Sequence, residues 1–141
     1  MYRSNVRILV VDDDRLLREF YARAFESMGY EAVCACDGAE AIRFLETAEQ
    51  GFALVIMDLL MPIKTGWEAM EYIRENPKWG NLPVVAITGV ALSDTERKRL
   101  ANLCDDIILK GQFTMSRLHN LTERFIHDDN DGRATPLRAT G

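Results

Sequence analysis

Four places in the chain carry side chains that could act together: the acidic run Asp12-Asp13-Asp14, and then Asp58, Thr88 and Lys110. Each follows directly on an apolar run: Ile8-Leu9-Val10-Val11, Phe52 to Met57, Val84 to Ile87, and Ile107-Ile108-Leu109. If those runs are parallel strands, their carboxyl ends share one edge, and two carboxylates from the first would lie close to one from the third. At about 5 Å and an effective dielectric near 20, each such pair repels by roughly 3 kcal/mol, and three carboxylates make three pairs. A divalent cation makes the cluster tolerable, and hard oxygen ligands of this kind suit Mg²⁺, Mn²⁺ or Ca²⁺. A metal-bound carboxylate beside a hydroxyl and an ammonium group points to phosphoryl chemistry. Asp58 would attack phosphorus, with Mg²⁺, Thr88 and Lys110 balancing the charge on the phosphoryl oxygens. Asp14, next to the first helical segment, reads equally well as a helix cap.

The elements that must position these residues follow from periodicity and caps. The first run is continuous rather than alternating, as in a central strand covered on both faces. Leu17, Phe20, Tyr21, Ala24 and Met28 then recur at helical steps, ahead of Gly29 at a site suited to a left-handed terminus. Glu31 to Cys36 alternates and reads as an edge strand. Asp37 before Glu40, Thr65 before Glu68 and Ser93 before Glu96 mark three further helix starts, and Pro77 closes the third helix. A last helix spans about Thr114 to His127, with Leu118, Leu121 and Phe125 on one face. Five strands alternating with five helices predict a parallel sheet with helices on both faces, where ligands bind outside the carboxyl ends of the strands. The division is a domain over residues 1–127 and a polar, disordered tail over 128–141.

Composition narrows the classes. With 141 residues, 22 acidic against 17 basic side chains and a net charge of -5, the chain reads as one soluble domain. Its acidic balance argues against nucleic acid or an anionic membrane as partner. No run has the length of a membrane-spanning helix, and no signal peptide is evident. Cys34, Cys36 and Cys104 lack the spacing of a zinc or dithiol site, so the expectation is a reduced, cytoplasmic protein. The run Arg97-Lys98-Arg99 reads as a solvated helix face.

The chain resembles the receiver domain of a bacterial two-component response regulator, over roughly Val6 to Ile126. The motifs that carry the likeness are Ile8 to Asp14, Leu54-Val55-Ile56-Met57-Asp58-Leu59-Leu60-Met61-Pro62, Gly66, Val84 to Gly89, and Lys110. The resemblance implies a flavodoxin-like α/β fold: a doubly wound five-stranded parallel sheet of order 2-1-3-4-5 with five helices. It implies that Asp58 is a phosphoacceptor, taking a phosphoryl group from a phosphohistidine of a sensor histidine kinase or phosphotransfer protein. Asp12, Asp13, the Asp58 side chain and the Leu60 backbone carbonyl would hold Mg²⁺, with Mn²⁺ able to substitute. Lys110 would pair with the phosphoryl group, Thr88 would move toward it, and Gly66 and Pro62 would shape the loop beyond Asp58. The domain would be no enzyme beyond this self-catalysed chemistry. It would signal to a downstream protein through the fourth helix, fifth strand and fifth helix, a face that also allows a homodimer.

Two departures from the family pattern bear on switching. Ile107 stands where most receivers carry Tyr or Phe, and Gly111 follows Lys110 where a cis proline is usual. A non-proline cis bond costs roughly 3–4 kcal/mol, so the sequence predicts a trans bond and a rerouted loop through Gly111-Gln112-Phe113. Leu60 and Val90 are apolar beside the expected path of an attacking water, which predicts slow hydrolysis of the acyl phosphate. Two other classes compete: a pseudo-receiver indifferent to phosphorylation, and a haloacid-dehalogenase-like phosphatase using Asp12 in Asp12-x-Asp14. Leu16 and the short chain weigh against the second.

Overall fold

The structure is a computed structural model and describes residues 6–61 and 64–126. The chain alternates strand and helix throughout: β1 (Arg7–Val11), α1 (Arg15–Ser27), β2 (Glu31–Ala35), α2 (Gly38–Thr47), β3 (Leu54–Asp58), α3 (Gly66–Glu75), β4 (Val84–Thr88), α4 (Asp94–Ala101), β5 (Asp106–Leu109) and α5 (Met115–Phe125). All strand pairings are parallel, in the order β2-β1-β3-β4-β5. This is the flavodoxin-like doubly wound sheet of order 2-1-3-4-5.

Successive side chains of a strand point to opposite faces, so the continuous apolar strands supply two cores. Ile8, Val10, Leu54, Ile56, Val85, Ile87 and Ile108 meet Tyr21, Ala24 and Phe25 of α1 and Leu118 and Leu121 of α5. Leu9, Val11, Val55, Met57, Val84 and Ala86 meet the buried residues of α2 and α3 and Leu100 of α4.

The helix starts form where short polar side chains satisfy the first free amides. The Asp37 side chain accepts from the Glu40 amide, and Thr65 with Glu68 and Ser93 with Glu96 form reciprocal capping boxes. Gly29 takes φ 96° just after α1. β2 stops at Ala35, one residue short of the expected end, because the Cys36 amide donates to the Glu40 carboxylate at 2.8 Å. α3 ends at Glu75, and Pro77 opens a separate single 3₁₀ turn, Pro77–Trp79, capped by the Asn76 side chain. α5 begins after its cap Thr114, while His127, Pro62 and the 128–141 tail lie outside the described residues. Among the described residues no helix is long and apolar enough to cross a membrane.

Gly66 brings α3 against the end of β3. Its amide donates to the Leu59 carbonyl at 3.1 Å, and a Cβ there would run into the Asp58 carbonyl and lie 2.8 Å from the Leu59 Cα. No larger residue fits without moving the strand end that carries Asp58.

Candidate functional site

The carboxyl edge of the sheet gathers the polar residues as the parallel topology requires. Asp58 is the last residue of β3 and is 1% exposed, and Asp12, directly after β1, is buried to the same degree. Asp13 points outward. One carboxylate oxygen from each of Asp12, Asp13 and Asp58 lies within 4.8 Å of the others. Lys110 Nζ, directly after β5, stands 3.3 Å from Asp58 Oδ2 and 3.9 Å from Asp12 Oδ2.

The two buried acids are held differently. Asp58 Oδ1 accepts from the Leu60 amide at 3.4 Å, and the next amide, Leu59, donates to the Ile87 carbonyl at 2.9 Å, tying this turn to β4. Asp12 Oδ1 accepts from the Asp14 amide at 2.8 Å, but Asp12 Oδ2 is buried with no hydrogen-bond partner. Burial, reinforced by Asp58 and Asp13, lifts the Asp12 pKa to about 6, with the Asp14 amide and Lys110 opposing. Burial likewise raises the Asp58 pKa, while Lys110 and the Leu60 amide pull it down. An orphaned carboxylate oxygen inside a cluster of hard, repelling oxygen donors is the setting a divalent cation fits.

Asp14 is a helix cap, its carboxylate accepting from the Leu16 and Leu17 amides at the start of α1. It is therefore not free for the Asp12-x-Asp14 chemistry of a dehalogenase-like phosphatase. The Thr88 hydroxyl is buried and engaged with Val90, accepting from its amide and donating to its carbonyl, each at 3.2 Å. The structure thus brings Thr88 to the right edge but aims its hydroxyl along the β4–α4 loop. The Lys110–Gly111 bond is trans, as no cis bond occurs among the described residues, and the chain past Lys110 makes a 3₁₀ turn, Lys110–Gln112. Ile107 is partly buried against the core on the α2–α3–α4 side.

Sequence reasoning missed three contacts. Arg18 Nη1 donates to the Asp12 backbone carbonyl at 2.8 Å, clamping the residue from α1. Tyr21, noted only as part of an apolar stripe, lies against Phe113 with ring centroids 4.8 Å apart. Arg99, assigned to a solvated face, instead lies over the Trp67 ring at 4.5 Å and pairs with Glu71. A helix-internal polar residue on a buried stripe was the available signal for Tyr21; nothing local marks the others. His119, read as lacking a carboxylate partner, faces Glu123 at 3.9 Å on the exposed side of α5.

The family profile described as response regulator receiver domain matches residues 8–123. The chain belongs to the response regulator receiver family. It is 41% identical over 100 residues to the CAI-1 autoinducer sensor kinase/phosphatase CqsS of Vibrio cholerae, covering 70% of this chain and 14% of that protein. It is 31% identical over 138 residues to the response regulator MprA of Mycolicibacterium vanbaalenii, covering 94% of this chain and 57% of that one. The chain therefore spans only part of these relatives. Among solved structures, the receiver domain of the sensor histidine kinase PA1611 of Pseudomonas aeruginosa, crystallised with magnesium coordinated in its active-site cleft, aligns with a TM-score of 0.76. The identity there is 26%, over 86% of this chain and 97% of that one.

Proposed function

We propose that this domain is a phosphoacceptor receiver in which Asp58 takes a phosphoryl group from a phosphohistidine. The observation that carries this reading is the buried Asp58 carboxylate with the Lys110 ammonium 3.3 Å away, beside two further acids whose oxygens lie within 4.8 Å. An Asp58 oxygen forms the new bond to phosphorus as the P–N bond breaks. The electron pair stays on the imidazole nitrogen, which takes a proton from solvent. Asp12, Asp13, Asp58 and the Leu60 carbonyl would hold Mg²⁺, which when bound offsets charge on the phosphoryl oxygens. Lys110 supplies a second positive charge, and Thr88 reports the event by leaving Val90 for the new oxygens. Reading residues 1–127 as this domain and its setting as cytoplasmic accords with a histidine-kinase donor.

Around the pocket, Leu16, Leu60, Val90 and Met115 all follow strand ends and are exposed. We read this apolar collar as the seat of the donor protein, with the α4–β5–α5 face left for the downstream partner. The pseudo-receiver alternative is favoured by no feature of the pocket, where the acids, threonine and lysine are all in place.

Labelling with acetyl phosphate and Mg²⁺ tests the assignment. Label should appear on wild type and vanish in Asp58→Asn, while label persisting in Asp58→Asn but lost in Asp12→Ala would overturn the reading. Decay of the labelled protein should quicken several-fold in Leu60→Asn, since an amide there can hold the attacking water; unchanged or slower decay would refute the lifetime argument.

A further inference from the structure

Asp12, Asp58 and Thr88 are each fixed at or directly beside a strand end, but Lys110 is not so well secured. It opens the 3₁₀ turn Lys110–Gln112, which has no side-chain cap hydrogen bond. Gly111 and Gln112 are exposed, and a Cβ at Gly111 would meet nothing within 4 Å, so neither residue wedges the turn in place. The half-buried Phe113 is what returns the segment to the body of the fold, and it does so on Tyr21, 4.8 Å away at a ring angle of 55°. Tyr21 is 1% exposed and belongs to α1, the helix whose Arg18 already clamps the Asp12 carbonyl. One helix thus grips the acidic half of the pocket through Arg18 and the turn of the cationic half through Tyr21.

The tyrosine hydroxyl makes no contribution that explains its burial, since it has no hydrogen-bond partner. An orphaned buried hydroxyl costs free energy, so the useful part of this side chain is its ring, which offers Phe113 a broad tilted aromatic face. We propose that Tyr21 is a positioning residue for Lys110, its ring anchoring Phe113 and thereby the turn that aims the ammonium group at Asp58. Only the consequence for phosphoryl binding rests on the phosphoacceptor reading.

The anchoring itself is testable in the metal-free full chain. The NMR resonance of the Lys110 ε-methylene should shift on Asp58→Asn in the wild-type background, because the ammonium is held at that carboxylate. The response should survive in Tyr21→Phe and be lost in Phe113→Ala and Tyr21→Leu; a response of wild-type size in Phe113→Ala overturns the proposal. Phe113 is half-buried in a loop, so this variant decides the matter even if Tyr21→Leu fails to fold. A second measurement separates positioning from general loosening. In Phe113→Ala, beryllofluoride binding should weaken about tenfold while Mg²⁺ affinity stays within twofold or tightens, because the cation is held by the acids and repelled by Lys110. Equal weakening of both would overturn the proposal. Wild-type protein that binds no beryllofluoride would instead sink the phosphoacceptor reading, leaving the NMR result to judge the anchor.

Discussion

Asp12 shows how one residue carries both a cost and a function. Its carboxyl sits where the protonated form is favoured, with a pKa lifted to about 6 chiefly by burial. A raised carboxylate pKa stabilises the fold fully below the unfolded value near 4, and that contribution is lost as pH rises through about 6. The metal-free protein should therefore lose on the order of 2–3 kcal/mol from this source between pH 4 and pH 7, with Asp58 acting in the same direction. Urea denaturation in EDTA across that range checks it, against Asp12→Asn, in which this share of the decline should be absent. Millimolar Mg²⁺ should restore stability at pH 7–8 and have little effect at pH 4–5, where protons occupy the ligands. That Asp12 would belong to a cation site was legible in the sequence, because acids beyond two strand ends must converge. Which of its oxygens is left orphaned was not, because Oδ1 is claimed by the Asp14 amide and Oδ2 is enclosed by the folded pocket.

At the scale of elements, the helix starts were the most legible feature. The caps Asp37, Thr65 and Ser93 act over three residues and need no tertiary partner. Long-range fixings were invisible by the same logic. Arg74, at the end of α3, donates to the Leu103 and Leu82 carbonyls at 2.9 Å each and pairs with Asp105 at 3.1 Å, while Asp105 also accepts from the Val84 amide at 2.9 Å. This largely buried knot ties α3 to the start of β4 and the segment entering β5. Replacing Arg74 by Ala removes the ion pair of a buried carboxylate and strands two carbonyls, and should cost about 3–5 kcal/mol of stability. Chemical denaturation would measure the loss, and an effect under about 1 kcal/mol would show that water replaces the guanidinium. α4 is held more lightly: it is short, Leu100 is its only buried side chain, and Arg99 rests on Trp67 and Glu71 of α3. An element so attached, directly after the Thr88–Val90 loop, is the one a change at Thr88 moves at least cost.

For the molecule as a whole, the doubly wound sheet puts every reactive group and the apolar collar on one edge, leaving the flanks for other contacts. If the collar seats the donor, Leu16→Asp should slow transfer from a phosphorylated histidine phosphotransfer domain by about tenfold or more, the loss expected for one apolar anchor. Labelling by acetyl phosphate, which needs no docking, should stay within twofold, and parallel loss of both would place Leu16 in the chemistry rather than the interface. The sequence by itself determined the fold class, the family and the identity of the pocket residues. Those follow from local signals, namely apolar runs that end in polar residues and caps that act within one helical turn. Only the tertiary structure decided how those residues are held: Thr88 turned to Val90, Arg18 on the Asp12 carbonyl, and Tyr21 against Phe113. Such contacts depend on side-chain rotamers and on helices packing across the sheet, and for Tyr21 and Phe113 the partners stand at opposite ends of the chain. No pattern confined to a window of sequence can encode that meeting.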